Sequence, residues 1–116
     1  MDYSSTYRLA QDIRDCEEYK TYHELKETVM ADETTAALIH EYRKLQMTIQ
    51  MSAMGGRRAS DEDAQRFSGI SSLLFSKPEV SQFLLAEMRL QQALADIFRI
   101  VTEAADVEMA MPEIEG

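Results

Sequence analysis

The sequence predicts an all-α fold: about five helices forming long antiparallel hairpins around a long C-terminal helix, in an oligomer. Three observations carry this. First, residues 77–107 hold two apolar rows at heptad spacing, Val80, Glu87, Leu94, Val101 and, three positions on, Phe83, Leu90, Ile97, Ala104. Only Glu87 breaks them, and Leu84, Ala86, Ala93, Phe98 and Ile100 widen the stripe, so the helix should pack along its whole length against more than one neighbour. Second, glycine (4) and proline (2) are scarce and β-branched runs nearly absent, which suits helix and not sheet. Third, 116 residues make one domain but are few for several long helices to bury all their apolar faces within one chain. A homodimer or higher homo-oligomer is therefore expected.

The single helical domain should span 5–107. A first helix, about 5–15, follows the capping hydroxyls of Ser4, Ser5 and Thr6, with Leu9 and Ile13 on one face. A second, about 17–31, opens on Glu17 and Glu18, which suit the positive end of a helix dipole, and carries Tyr19, Tyr22, Leu25 and Val29 as its stripe. No Gly or Pro separates these two, so one bent rod and two helices are both compatible with the residues. Asp32 is placed to cap a third helix, about 33–53, with Leu38, Tyr42, Leu45 and Ile49 inward and Gly55-Gly56 as its stop. On the opposite face lie Met47, Met51 and Met54, with Ala36 and His40. Ser60, three residues before Asp63, resembles a capping box for a fourth helix, about 61–75, with Phe67, Ile70, Leu73 and Leu74 inward. Ser76 is a candidate N-cap for the fifth, 77–107, with Pro78 in its first turn. After Val107 the pattern dissolves into an acidic tail, 108–116, expected to be disordered or loosely docked.

Charge and cysteine usage narrow the function classes. Twenty-one acidic residues against 12 basic ones give a net charge of −9, which disfavours nonspecific binding to a phosphate backbone and makes DNA an unexpected partner. The single cysteine, Cys16, excludes an intrachain disulfide and favours a reducing compartment. Residues 1–10 have no signal-peptide character, and no stretch approaches the roughly 18 to 20 apolar residues that span a bilayer. A soluble, cytoplasmic protein without membrane association is expected.

The order and spacing of several short segments are similar to a known family. They are Glu17-Glu18-Tyr19-Lys20, Ala31-Asp32-Glu33, Leu38-Ile39-His40-Glu41-Tyr42-Arg43-Lys44-Leu45-Gln46, Ser76-Lys77-Pro78-Glu79-Val80, Ala86-Glu87-Met88-Arg89-Leu90 and Leu94-Ala95-Asp96-Ile97-Phe98. Together, over residues 7–106, they resemble the YlbF/YmcA family of small helical bacterial proteins, nearest its YheA-like branch. The resemblance implies helical hairpins packed along a long C-terminal helix, homo-oligomers (usually dimers), and a cytoplasmic protein of a Gram-positive-type bacterium. It also implies a regulator that assembles with protein partners, in an RNA-processing complex acting on mRNA, and that affects competence, sporulation and biofilm formation. Some members take part in a complex carrying iron–sulfur clusters, with cysteine ligands near the C-terminus; this sequence departs there, because no cysteine follows Cys16.

A search for chemistry returns little. Cys16, His23 and His40 carry no local nucleophile signature, and Cys16 and His23 share a helical face only if the first two helices are continuous. The two histidines match no zinc spacing, and Gly55-Gly56 lacks the lysine and preceding strand of a phosphate loop. No catalytic, metal or cofactor residues are assigned. The candidate interface is Met47, Met51, Met54, Ala93 and Ile100. The methionines read either as an adaptable partner surface or as intrachain core. Glu87, a charge inside an apolar seam, should reach solvent or pair with an arginine such as Arg43 or Arg89, or else fix helix register. The expectation is a non-enzymatic regulatory or adaptor protein that displays apolar helical faces to a like subunit and then to partners. The alternatives are a metal- or iron–sulfur-linked redox regulator using Cys16 and an RNA-binding accessory protein using the Arg57-Arg58 loop.

Overall fold

The computed structural model describes residues 1–108, and these form five α-helices with no strand among them. They are α1 (Ser4–Asp15), α2 (Glu17–Met30), α3 (Glu33–Met54), α4 (Asp61–Phe75) and α5 (Pro78–Ala105). The tail expected to be disordered lies, from residue 109 on, outside the described residues.

The helix ends follow from local chemistry, not always the expected one. At α1 the serine hydroxyls sit inside the first turn, and Asp2 supplies the acceptor, taking the Ser4 N–H at 2.9 Å and the Ser4 hydroxyl at 2.6 Å. The Ser4 hydroxyl, then its N–H, hold the Asp2 carboxyl below its ordinary pKa. Helices α1 and α2 are separate. Cys16 is extended (φ −78°, ψ 156°); its N–H closes α1 on the Ile13 carbonyl and its own carbonyl accepts the Lys20 N–H. One extended residue thus breaks the rod without Gly or Pro, and the continuity that Cys16 and His23 needed is absent.

Asp32 takes the N-cap position of α3, but its carboxylate accepts from the Thr35 hydroxyl (2.6 Å). Gly56, at φ 76°, ends the same helix in the left-handed region, where a side chain costs roughly 1–2 kcal/mol. Ser60 caps α4, its Oγ accepting the Asp63 N–H at 3.1 Å. Ser76 does not cap α5. It closes α4 in helical geometry, its hydroxyl donating to the Leu73 carbonyl. The residue before a proline is pushed out of the helical region, so Lys77 becomes the flank of α5 and its carbonyl accepts from Val80 and Ser81. At the other end α5 stops at Ala105, two residues short of Val107, where Asp106 turns to φ 52°.

The chain forms two compact units, whose boundaries fall within α2 and α5. In the unit Leu25–Gln82, α3 and α4 pack as a hairpin. Its core is Val29, Ile39, Leu45, Leu74 and Val80, with the buried Thr35. Tyr42 stacks on Phe67 (centroids 5.1 Å apart) and meets Phe75 edge-on, while Arg66 pairs with Glu41 at 2.6 Å. On α3 Thr35 and Ile39 are buried, Ile39 one position round from the expected Leu38, while Leu45 of the expected row is buried as well. Leu73 is 58% exposed, since it sits a hundred degrees from the fully buried Leu74.

The second unit is Met1–Glu24 with the chain from Phe83 on. Phe83 and Ala86 are buried, and Tyr22 stacks on Phe83 with centroids 5.7 Å apart. In α1 nothing is buried; Leu9 and Ile13 are half-covered. The α5 seam expected to be packed along its whole length is not so packed: after Ala86 no residue of α5 is buried among the described ones.

Candidate interaction surfaces

The first surface is the C-terminal half of α3. Met47, Met51 and Met54 recur at four and three residues, so they share one face, and they are 63%, 66% and 80% exposed. They are therefore not intrachain core. The helix end fixes what stands beside them. Gly55 N–H donates to the Met51 carbonyl, Gly56 N–H to Ala53 and Arg57 N–H to Ser52 at 2.8 Å. This closure satisfies carbonyls that a helix C-terminus leaves open and seats Arg57 against the methionine face. Thr48, Met51, Ser52, Gly55 and Arg57 line an open recess of about 360 Å³. Arg58, Arg43 and Lys44 are exposed on the same stretch. The arrangement offers polarisable thioethers, which adapt to varied apolar neighbours, beside guanidinium groups that take carboxylates in bidentate fashion.

The second surface is the far half of α5. Of the two α5 interface candidates, Ile100 is 59% exposed and Ala93 is half-covered; Val101 (56%) and Leu94 (39%) extend the open stripe. The polar side of this segment is satisfied within the helix. Arg99 pairs with Asp96 (3.6 Å) and Glu103 (3.8 Å), Gln92 donates to Asp96, and the Thr102 hydroxyl donates to the Phe98 carbonyl.

Glu87 is half-covered, and neither it nor Arg43 is a free charge. Arg89, two residues from Glu87, cannot face it on one helix. Arg89 instead lines a small recess of about 190 Å³ with Glu17, Glu18, Thr21 and Ala86, where the acidic first turn of α2 meets α5.

One cluster escaped the sequence reading. Lys77 Nζ donates to the Thr35 hydroxyl at 3.0 Å, Thr35 donates to Asp32, and Lys77 lies 3.9 Å from the same Asp32 oxygen. The Thr35 hydroxyl, with a smaller contribution from Lys77, holds the Asp32 carboxyl below its ordinary pKa against the opposing pull of burial. Asp32 and Lys77 belong to two of the short segments on which the family resemblance rests. Their spacing in sequence gave no sign that a buried threonine joins them.

Cys16 is half-covered between α1 and α2. Among the described residues no group of three or more His, Cys, Asp or Glu side chains is disposed to hold a metal ion. A single cysteine does not fit an iron–sulfur cluster held by this chain alone. No described helix is long and apolar enough to cross a membrane.

Comparison with known proteins fits this architecture. The profile of the family described as "Control of competence regulator ComK, YlbF/YmcA" matches residues 3–105. A UPF0342 protein of Halothermothrix orenii is 30% identical over 99 residues, covering 85% of this chain and 84% of the relative. Another, of Caldicellulosiruptor saccharolyticus, is 26% identical over 109 residues, covering 94% and 91%. Among solved structures, a protein of unknown function (DUF964) from Bacillus stearothermophilus superposes with a TM-score of 0.70 at 17% identity, over 90% of this chain and 91% of that one; at this identity the likeness concerns the fold.

Proposed function

Because the chain belongs to the YlbF/YmcA family, whose description is control of the competence regulator ComK, we propose that it is a non-enzymatic regulatory or adaptor protein acting through protein–protein contacts. In this reading it is cytoplasmic and pairs with a second copy of itself. The pair then engages a protein partner, as the family resemblance suggests for an RNA-processing complex. The observation that carries the reading is the uncovered seam of α5: Leu94 and Val101 stand open at heptad spacing, with Ile100 open on the flank beside them. Burying a large aliphatic side chain yields about 1.5–3 kcal/mol, so a row of half-exposed ones leaves several kcal/mol to be gained by a second helix. The methionine face of α3 supplies the adaptable contact for the partner.

Light scattering and sedimentation at micromolar concentration test the pairing. An oligomer that falls to monomer in Leu94→Glu/Val101→Glu is expected, and a wild type that is strictly monomeric would overturn the proposed pairing. Affinity capture from the native cell tests the rest. Met47→Lys/Met51→Lys/Met54→Lys should lose a partner that the wild type retains; a variant keeping both its partners and its oligomeric state would remove the methionine face from the mechanism.

A further inference from the structure

Within the unit Leu25–Gln82 charge is segregated. Residues 42–60 hold Arg43, Lys44, Arg57 and Arg58 and no acidic residue, in a protein of net charge −9. The acidic residues on either side are already compensated. Glu41 pairs with Arg66 at 2.6 Å, and Asp61, Glu62 and Asp63 lie in the first turn of α4, at the positive end of its dipole. Arg43 is not a free charge, but Lys44, Arg57 and Arg58 form no ion pair among the described residues.

On α3 this charge frames a seam. His40, Lys44, Met47, Met51 and Met54 recur in alternate steps of four and three residues, and all five are exposed. That is the heptad spacing on which a second helix packs. The seam is about 21 Å long, roughly four turns. Its C-terminal part is thioether. Lys44 stands one turn before it, and Arg57 shares with Met51 the open recess of about 360 Å³ at its end.

We propose that this seam docks an acidic amphipathic helix of a protein partner, its apolar row against Met47, Met51 and Met54 and its carboxylates against Lys44, Arg57 and Arg58. The inference rests on the reading of the methionine face as the partner contact and adds the partner's chemistry. Heptad spacing selects a helix over an extended segment, and the uncompensated positive charge selects Asp and Glu on its flanks. The guanidinium groups take carboxylates in bidentate fashion, Lys44 meets them as a point charge, and the thioethers adapt to the apolar row. RNA fits less well, because methionine at three successive seam positions holds no phosphate and a net charge of −9 repels a polyanion.

The test titrates the full chain, methyl-labelled at methionine, with synthetic helical peptides of about four turns. Three peptides share one leucine row and carry glutamate, glutamine or lysine on both flanks; a single-stranded RNA of similar length is the fourth probe. At about 0.1 M salt the glutamate peptide should bind at least about tenfold tighter than the glutamine peptide, and the lysine peptide weaker still. The methyl signals of Met47, Met51 and Met54 should shift, and that of Met88, 44% exposed on α5, should not. Lys44→Glu/Arg57→Glu/Arg58→Glu should reverse the order of the two charged peptides. Met47→Ser/Met51→Ser/Met54→Ser should weaken the glutamate peptide about tenfold and leave the order unchanged. Equal binding of the three peptides by the wild type, shifts not centred on the three seam methionines, or RNA binding there tighter than the glutamate peptide would overturn the inference. Loss of the partner in the methionine-to-lysine variant above, without a glutamate preference, removes the acidic helix and leaves the face as a contact. A glutamate preference in a protein whose methionine-to-lysine variant keeps its partners and its oligomeric state overturns the functional reading and leaves the chemistry of the seam.

Discussion

Replacing Thr35 by valine isolates the one buried hydroxyl that joins α3 to the start of α5. The side chain is 3% exposed, and its Oγ1 makes two bonds, donating to Asp32 at 2.6 Å and accepting from Lys77 at 3.0 Å. Hydrogen bonds to charged groups contribute about 1.5–3 kcal/mol each, but both partners here are wet, Lys77 at 42% and Asp32 at 58% exposure, and water replaces much of what they lose. A loss of about 2 kcal/mol remains for the pair of bonds. Valine keeps the β-branch and the volume, and its added methyl returns at most about 0.8 kcal/mol. Thr35→Val should therefore destabilise by about 1–2 kcal/mol, read as a lower urea midpoint at unchanged slope and fixed protein concentration. Thr35→Ser keeps the hydroxyl and loses the methyl, so it should fall between wild type and valine. Refutation is a valine variant as stable as wild type, or a serine variant weaker than valine, which would assign the site to packing and leave the hydroxyl idle.

Acid should narrow the gap between wild type and Thr35→Val. The folded Asp32 carboxyl is depressed, so its contribution is present above the ordinary carboxylate pKa of about 3.9 and lost as pH falls through the folded value. Urea midpoints from pH 6 down to 3 check this, and a gap that widens on acidification contradicts it. Gly69, mid-helix in α4, has open space where a Cβ would stand; Gly69→Ala should stabilise by about 0.5–1 kcal/mol, seen as a rise of several degrees in Tm. Ser71 Oγ is buried without a hydrogen-bond partner, so Ser71→Ala should be neutral or stabilising by up to about 1 kcal/mol in the same melts. Gly56→Ala places a Cβ at φ 76° and should cost about 1 kcal/mol in the same melts.

What could be read from sequence was what is local. Ser60 caps α4 because a hydroxyl three residues before an N–H needs nothing else, and Gly56 ends α3 because only glycine turns there without strain. Ser76 was misassigned by the same local logic, since the restriction that Pro78 places on Lys77 moves the α5 flank by one residue and leaves Ser76 to α4. Ile39 is fully buried one position, a hundred degrees, round from the expected Leu38, a rotation that periodicity alone does not locate. Lys77 and Thr35 are 42 residues apart, and no spacing rule pairs them. The methionine face was legible as a second apolar face, but its exposure was not, because thioethers suit core and surface equally.

The two open surfaces differ in what they ask of an occupant. Along the far half of α5 the charges neutralise one another within the helix, Arg99 against Asp96 and Glu103, and these exposed pairs hold little energy to offer a partner. What stays uncovered is apolar area, which selects an occupant by shape, and the second copy proposed above suits it. The end of α3 is the reverse. Its methionines accept almost any apolar side chain, while Arg57 and Arg58 bring charge of a single sign, so discrimination falls to electrostatics. Salt should therefore separate them: raising ionic strength should leave association through Leu94, Ile100 and Val101 unchanged or stronger, and weaken whatever binds beside Met51 and Met54. Sedimentation and peptide binding measured over the same salt range decide it. Parallel weakening of both would mean that the α5 contact is also held by charge, and the division of labour between the two helices would fall.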